Sequence, residues 1–90
     1  MPTAEREVTI LNAHGLHVRP ATKFAEAAEK FSSEVIVSKD GNQVNGKAIM
    51  ELLILAAPAG TVLRIRCEGP DAEKAADALA ALVHARFGIE

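Results

Sequence analysis

The apolar residues of this chain switch between two spacings, and this switching constrains the fold more than any other feature. In three segments they occupy alternate positions, which predicts strands that bury one face of a sheet. These residues are Val8 and Ile10, then Val35 and Val37, and finally Leu63, Ile65 and Cys67. Cys67 is accordingly interpreted as a small core residue, because it continues the apolar face of its strand.

Two other segments have apolar residues at helical spacing, which predicts helices packed on the sheet. Their members are Ala21, Phe24, Ala25, Ala28 and Phe31 in the first and Ala75, Ala76, Leu79, Leu82 and Val83 in the second. Asp71 is the predicted N-cap of the closing helix and Gly88 its predicted stop. Ser32 and Ser33 are interpreted as ordinary turn residues.

The connections complete the order strand, helix, two strands, helix, strand, helix. Asp40-Gly41-Asn42 predicts a hairpin turn, and therefore a further strand after Val37. Arg64 and Arg66 alternate with the apolar residues of the final strand, so the opposite sheet face is basic and exposed. The helices are therefore expected on one face only, as in an open-faced α+β sandwich.

Length and composition exclude several classes of protein. The 90 residues predict one domain, residues 1–90, and the net charge of −2 provides no basic field for nucleic acid. No signal-peptide pattern opens the chain and no apolar run is long enough to cross a membrane. With a single cysteine, these features predict a cytoplasmic location. Three histidines without suitable acidic or cysteine spacing predict no metal site, and no cofactor is expected.

The segment Gly15-Leu16-His17-Val18-Arg19-Pro20-Ala21 places an imidazole and a guanidinium at the predicted start of the first helix. Pro20 fits a first helical turn, where its missing N–H has no intrahelical partner. With His17 at the N-cap, the N–H groups of Val18 and Arg19 remain free for an anion. The Arg19 side chain adds a forked donor that matches phosphate oxygens. A lone histidine at a helix start is more often a cap or a solvated residue.

The full segment resembles the active-site signature of HPr, the histidine-containing phosphocarrier of the bacterial phosphoenolpyruvate-dependent sugar phosphotransferase system. Val44-Asn45-Gly46-Lys47-Ala48-Ile49-Met50 resembles the start of that family's second helix, and Gly60-Thr61-Val62 and Glu68-Gly69-Pro70-Asp71 resemble its last strand and turn. Val18 departs from the small residue usual in the family. The resemblance implies a βαββαβα fold, with a four-stranded antiparallel sheet and three helices on one face.

The resemblance also implies a function. His17 would be phosphorylated on Nδ1, with Arg19 as its electrostatic partner. The phosphoryl group would arrive from phosphorylated enzyme I and leave to a histidine of an enzyme IIA domain in sugar uptake. The chain would then be a stoichiometric carrier rather than an enzyme, and a monomer is the simplest state for two successive partners.

Ala48 occupies the position at which many HPr proteins of low-GC Gram-positive bacteria have a serine, the target of an ATP-dependent kinase. Alanine has no hydroxyl to accept phosphate, so regulation at this position is not expected. The following segment, residues 48–57, is apolar on almost every side of a short predicted helix. Leu52 and Leu55 are predicted core residues. Ile49, Met50 and Leu53 are predicted to dock the protein partners, as that helix does in the family.

Other interpretations stay open at this point. The chain could serve the nitrogen-related branch of the phosphotransferase system, as a phosphocarrier or a regulatory module. A small hydrolase of the acylphosphatase type has a similar size and layout, but the phosphate loop it needs does not stand out. His14 is interpreted as a solvated residue that could tune the local charge, and His84 as a structural or solvated residue at the end of the closing helix.

Overall fold

A computed structural model describes residues 2–89 of the chain. Along the sequence, β1 (Thr3–Thr9) is followed by α1 (Val18–Glu29), β2 (Glu34–Lys39), β3 (Asn42–Asn45), α2 (Ile49–Ile54), β4 (Val62–Glu68) and α3 (Ala72–His84). A short 3-10 turn, Arg86–Gly88, follows α3. The strands form one antiparallel sheet in the order β1-β4-β2-β3, with three helices packed on one face. The predicted open-faced α+β sandwich is confirmed.

The two spacings of the apolar residues account for the core. In β4, Leu63, Ile65 and Cys67 are buried, and the residues between them are exposed. Burial raises the pKa of the Cys67 thiol, so this cysteine is a core residue as predicted. The apolar stripe of α1 faces the same core, although Phe31 lies just beyond the helix and is half-buried.

The β2–β3 hairpin confirms its predicted turn. Lys39 pairs with Asn42, so Asp40 and Gly41 alone connect the strands. Both have positive φ, 50° and 86°, the combination that a tight hairpin with the natural strand twist requires.

The closing helix begins at its predicted N-cap residue, but that side chain has another role and the helix ends earlier than predicted. Asp71 is at the N-cap position, but its side chain makes no capping bond. Instead its carboxylate accepts hydrogen bonds from the backbone N–H groups of Ser32 and Ser33, both 2.9 Å, and from the Ser33 hydroxyl. Ser33 is fully buried, so the interpretation of Ser33 as an ordinary turn residue was wrong.

At the other end, α3 stops at His84 rather than at Gly88. Arg86 and Phe87 both take positive φ, 54° and 56°, and this reversal directs the Phe87 ring into the core. Burial of that ring offsets the cost of the left-handed backbone. His84 is exposed in the last turn of α3, as interpreted from the sequence.

Ion pairs tie β1 to its neighbours. Arg6 donates to Asp77 at 2.8 Å and to Glu73 at 2.7 Å, joining β1 to α3. The hydrogen bond that Arg6 donates to Glu73, followed by the one that it donates to Asp77, raises the pKa of its guanidinium. On the open face of the sheet, Arg64 and Arg66 pair with Glu5 at 3.9 and 3.5 Å, so the predicted basic face is a mixed, largely neutralised surface.

Candidate functional site

The loop before α1 is held against the segment that follows α2. The N–H of Leu16 donates to the carbonyl of Ala57 at 2.8 Å. Gly15 has φ 68°, and a Cβ atom there would lie 2.4 Å from the same Ala57 oxygen. Only glycine permits this close approach, which fixes where α1 begins relative to α2.

The buried side chain of Asn12 stabilises the conformation of this loop. Its side chain is fully buried, and its Nδ2 donates to the Gly15 carbonyl at 2.6 Å. The N–H of Gly15 in turn donates to the Asn12 carbonyl at 3.1 Å, which closes a β-turn around Ala13 and His14. The loop is therefore a fixed support for the residues that follow it.

His17 occupies the N-cap of α1, as the sequence predicts. Its backbone is extended, with φ −100° and ψ −166°, and its carbonyl accepts the first helical hydrogen bond from Ala21 at 2.9 Å. Its side chain makes no capping bond and is partly exposed. The imidazole is thus free to react at the surface.

The donors at the start of α1 are available to an anion. Among residues 2–89, no acceptor binds the N–H groups of Val18 and Arg19, and Pro20 has no N–H. No acidic residue lies in the first turn, so no side chain of the helix itself competes for these donors. The arrangement can receive a phosphate beside the His17 ring.

Arg19 is exposed, and no hydrogen bond or ion pair within the described part of the chain engages its guanidinium. It lies two positions after His17, inside the first turn of α1. A free guanidinium at this point can contribute charge-assisted hydrogen bonds to the same anion.

A second histidine ring lies against His17. The centroids of the His14 and His17 rings are 6.0 Å apart, and the two ring planes are nearly perpendicular at 84°. No residue pattern in the chain indicates this contact, because it depends on the conformation of the turn around Ala13 and His14. His14 is exposed, as its interpretation as a solvated residue requires.

The helix predicted for docking is shorter than expected, and Met50 is the one of its three predicted docking residues that is largely exposed. It spans Ile49–Ile54 rather than residues 48–57, because the backbone takes a positive φ of 49° at Ala56, which a helix cannot continue through. Lys39 Nζ binds the carbonyls left free at this end, those of Leu55 and Ala56, at 3.0 and 3.1 Å. Met50 and Ile54 are 73 % and 75 % exposed and lie one turn apart on the same helix face.

The other apolar residues of α2 lie deeper. Leu52 and Leu55 are buried, as predicted. Ile49 and Leu53 are half-buried and pack partly against the core, so they contribute less surface than expected. Ile54 was not among the predicted docking residues, although its spacing from Met50 could have indicated it.

Ala48 is the N-cap residue of α2 and has no hydroxyl to cap the helix. The Glu51 carboxylate reaches back to the N–H of Asn45 at 3.0 Å, and Asn45 Oδ1 accepts from the N–H of Lys47 at 2.9 Å. These bonds form a self-contained turn before α2. A Cβ at Gly46 would lie 2.5 Å from a Val35 side-chain carbon, so glycine is required for packing there.

Two further properties concern residues 2–89 as a whole. None of their helices has the length and apolarity needed to cross a membrane. No group of three or more histidine, cysteine or acidic side chains in this part of the chain is placed to hold a metal ion.

The fold and the site together define an open-faced α+β protein with a histidine at a helix start. Comparison with known families gives this class a name, because the model described as "PTS HPr component phosphorylation site" matches residues 4–85. The chain belongs to the HPr family, the phosphocarrier proteins of the phosphotransferase system.

Individual relatives agree over nearly the full length. The phosphocarrier protein HPr of Cupriavidus necator is 43% identical over 84 residues, which cover 93% of this chain and 94% of the relative. The crystal structure of HPr from Thermoanaerobacter tengcongensis superimposes with a TM-score of 0.92 at 42% identity, covering 97% of this chain and 98% of that one.

A second structure of HPr from Thermoanaerobacter tengcongensis is described as a dimer. It has a TM-score of 0.76 at 43% identity and covers 90% of this chain and 93% of that one. The expectation that this chain is a monomer therefore stays a prediction.

Proposed function

We propose that this protein accepts a phosphoryl group on Nδ1 of His17 from phosphorylated enzyme I and passes it to a histidine of an enzyme IIA domain in sugar uptake. The observation that carries the proposal is the start of α1, where the His17 side chain makes no capping bond and the backbone N–H groups of the next two residues are free. The family assignment supports the same chemistry.

The transfer needs a nucleophile and a place for negative charge. A neutral imidazole of His17 attacks the phosphorus with a ring-nitrogen lone pair, and the bond between phosphorus and the donor breaks as the new P–N bond forms. The charge of the transition state lies on the equatorial oxygens, so alignment and electrostatic stabilisation do most of the work. The N–H groups of Val18 and Arg19 and the Arg19 guanidinium provide that stabilisation in our proposal.

A carrier must also release the group. One contact with a helix dipole at the surface contributes about 0.3–1 kcal/mol, which suits a phosphoryl group that has to move on. His17 then acts as leaving group toward the acceptor histidine. The chain is consequently a stoichiometric intermediate rather than an enzyme in this proposal.

Docking is assigned to the exposed side of α2. Met50 and Ile54 supply an adaptable apolar surface, and Ile49 and Leu53 lie at its base. The hydrogen bond from Leu16 to Ala57 fixes the segment after α2 to the loop that carries His17, so a partner on α2 lies beside the reacting ring. Both proposed partners act in the cytoplasm, where we place this protein as a monomer.

The test is transfer of label from phosphoenolpyruvate through enzyme I and Mg²⁺. Acid-labile, alkali-stable label is expected on the wild type and on His84→Ala, and none on His17→Ala. A normally labelled His17→Ala protein would contradict the proposal. Loaded protein is then mixed with a sugar-branch or a nitrogen-branch enzyme IIA domain, and exclusive transfer to the latter would reassign the chain to that branch.

A further inference from the structure

His14 is placed to act on whatever His17 carries. It is a central residue of the turn closed by Gly15 and Asn12, so its position is set by the same hydrogen bonds that support His17. Its ring is perpendicular to that of His17, with 6.0 Å between the centroids. A group added to the His17 ring would extend beyond that ring and could approach His14.

The surroundings of His14 leave its ring free for such a role. Within residues 2–89 its ring makes no hydrogen bond or ion pair, and His17 is the titratable group placed against it. Arg19, in the first turn of α1, is the charged residue nearest to this pair along the chain. No described carboxylate pairs with either ring, so no fixed negative charge already favours a protonated His14.

We propose that His14 is a positioning residue for the phosphoryl group: its protonated ring donates an N–H to a phosphoryl oxygen on His17 and slows loss of that group. The inference rests on the proposed function, because it concerns the phosphorylated form. No bond to His14 forms or breaks, and the proton stays on its ring.

The physical basis is the change of charge at His17. Phosphorylation adds to the His17 ring a group whose three oxygens carry negative charge and accept hydrogen bonds. An opposite charge within about 4–6 Å favours the protonated form of an imidazole. Protonation of His14 should therefore follow phosphorylation of His17. By linkage, the protection that His14 gives, measured as the ratio of loss rates without and with its ring, should grow as pH falls, although the P–N bond itself is acid-labile.

The first experiment is an NMR titration of the three histidine rings before and after loading by enzyme I and phosphoenolpyruvate. The midpoint of the His14 titration should move to higher pH by about one unit on loading. The midpoint of His84, at the end of α3, should stay unchanged and is the internal control. A His14 midpoint that moves no further than that of His84 would overturn the inference.

The second experiment measures spontaneous loss of the phosphoryl group in two variants of this exposed residue. His14→Phe keeps a ring without an N–H, and His14→Gln keeps a neutral donor. Relative to wild type, loss from His14→Phe should be about tenfold faster near pH 6 and equal near pH 9, with His14→Gln faster by a smaller factor. A constant ratio for His14→Phe across this range would reduce His14 to a structural role.

The outcomes separate this inference from the proposed function. A chain that takes no phosphoryl group from enzyme I contradicts both. A chain loaded on His17 whose His14 midpoint and loss rates do not respond contradicts the inference alone. Phosphoryl label found on the His14 ring itself would also reject a positioning role.

Discussion

The helices α1 and α3 both begin without a side-chain capping bond, and the chain uses these two starts in opposite ways. At α1 the N-cap is His17, the first turn has no acidic residue, and the N–H groups face outward without partners among the described residues. At α3 the N-cap is Asp71, the first turn contains Glu73, and both carboxylates are engaged by other parts of the fold.

The contrast shows what separates an anion site from a structural junction. The starts of α1 and α3 both carry the partial positive charge of a helix dipole. At α3, acidic side chains already supply the negative charge that this dipole favours. At α1 that charge is missing and must come from outside the chain. A substitution at one start should therefore leave the other start unaffected.

The largest effect is expected at Gly15, which sets the position of α1. Gly15→Ala adds a Cβ atom 2.4 Å from the Ala57 carbonyl oxygen at a positive φ. Backbone strain and overpacking together should lower the free energy of unfolding by about 2–5 kcal/mol, measured by urea denaturation. Transfer from enzyme I should fall as well.

Gly41→Ala is the matched control, because Gly41 also has positive φ but nothing lies within 4 Å of its added Cβ. It should cost about 1–2 kcal/mol and leave transfer unchanged. Equal losses of stability in the two variants would show that the contact with Ala57 does not hold the start of α1.

The next effect is on rate. Arg19→Ala removes the free guanidinium beside His17 and should slow phosphoryl transfer about 10- to 100-fold, since a hydrogen bond to a charged group contributes about 1.5–3 kcal/mol. Lys23→Ala removes an exposed positive charge one turn further along α1 and should leave the rate nearly unchanged. Quench-flow transfer from enzyme I measures both. Similar rates for the two variants would reject a specific role for Arg19.

At the start of α3 the expected effect is on stability alone. Ser33→Ala removes the buried hydroxyl that donates to Asp71 and should lower the free energy of unfolding by about 1 kcal/mol. Ser32→Ala is the control, because Ser32 is exposed and reaches Asp71 through its backbone N–H only. Phosphoryl transfer should stay normal in both. Slower transfer in Ser33→Ala would mean that the two helix starts are coupled.

The same junction predicts a pH dependence. The hydrogen bond from the Ser33 hydroxyl, followed by that from the Ser32 N–H, lowers the pKa of Asp71. The folded pKa is then below the unfolded value of about 3.9, so the stabilisation is complete above that value and is lost as pH falls through the folded pKa. Asp71→Asn should therefore be less stable than wild type at pH 6, with the difference shrinking toward pH 2. A difference independent of pH would contradict this.

The sequence alone predicts those parts of the molecule that depend on local pattern. The alternation around Ile65 predicts β4, Asp40 and Gly41 predict the hairpin, and Pro20 after His17 predicts the start of α1. In each case neighbouring residues contain the physical cause, namely burial of one face, positive φ or a missing N–H.

What the sequence could not predict depends on residues far apart in the chain. The partners of Asp71 lie 38 and 39 positions earlier, and Phe87 is buried only because the backbone reverses after α3. The carbonyls beyond the early end of α2 accept hydrogen bonds from Lys39, which lies on a strand that no helical pattern includes. At the site, His17 and Arg19 were predictable from one segment, whereas the ring contact of His14 required the folded turn.

The smallest effect concerns a third helix start, that of α2. Ala48→Ser places a hydroxyl at an N-cap that now has none, and should raise the free energy of unfolding by about 0.5–1 kcal/mol.

The wild type should gain no phosphoserine from an HPr kinase and ATP, whereas the variant offers an acceptor at that position. Phosphoserine in the wild type would show that Ala48 has been misaligned with the family serine. The start of α2 has no capping side chain, and the start of α1 has no competing acid. If Ala48→Ser changes the free energy of unfolding but not the rate of phosphoryl transfer to His17, the two helix starts act separately.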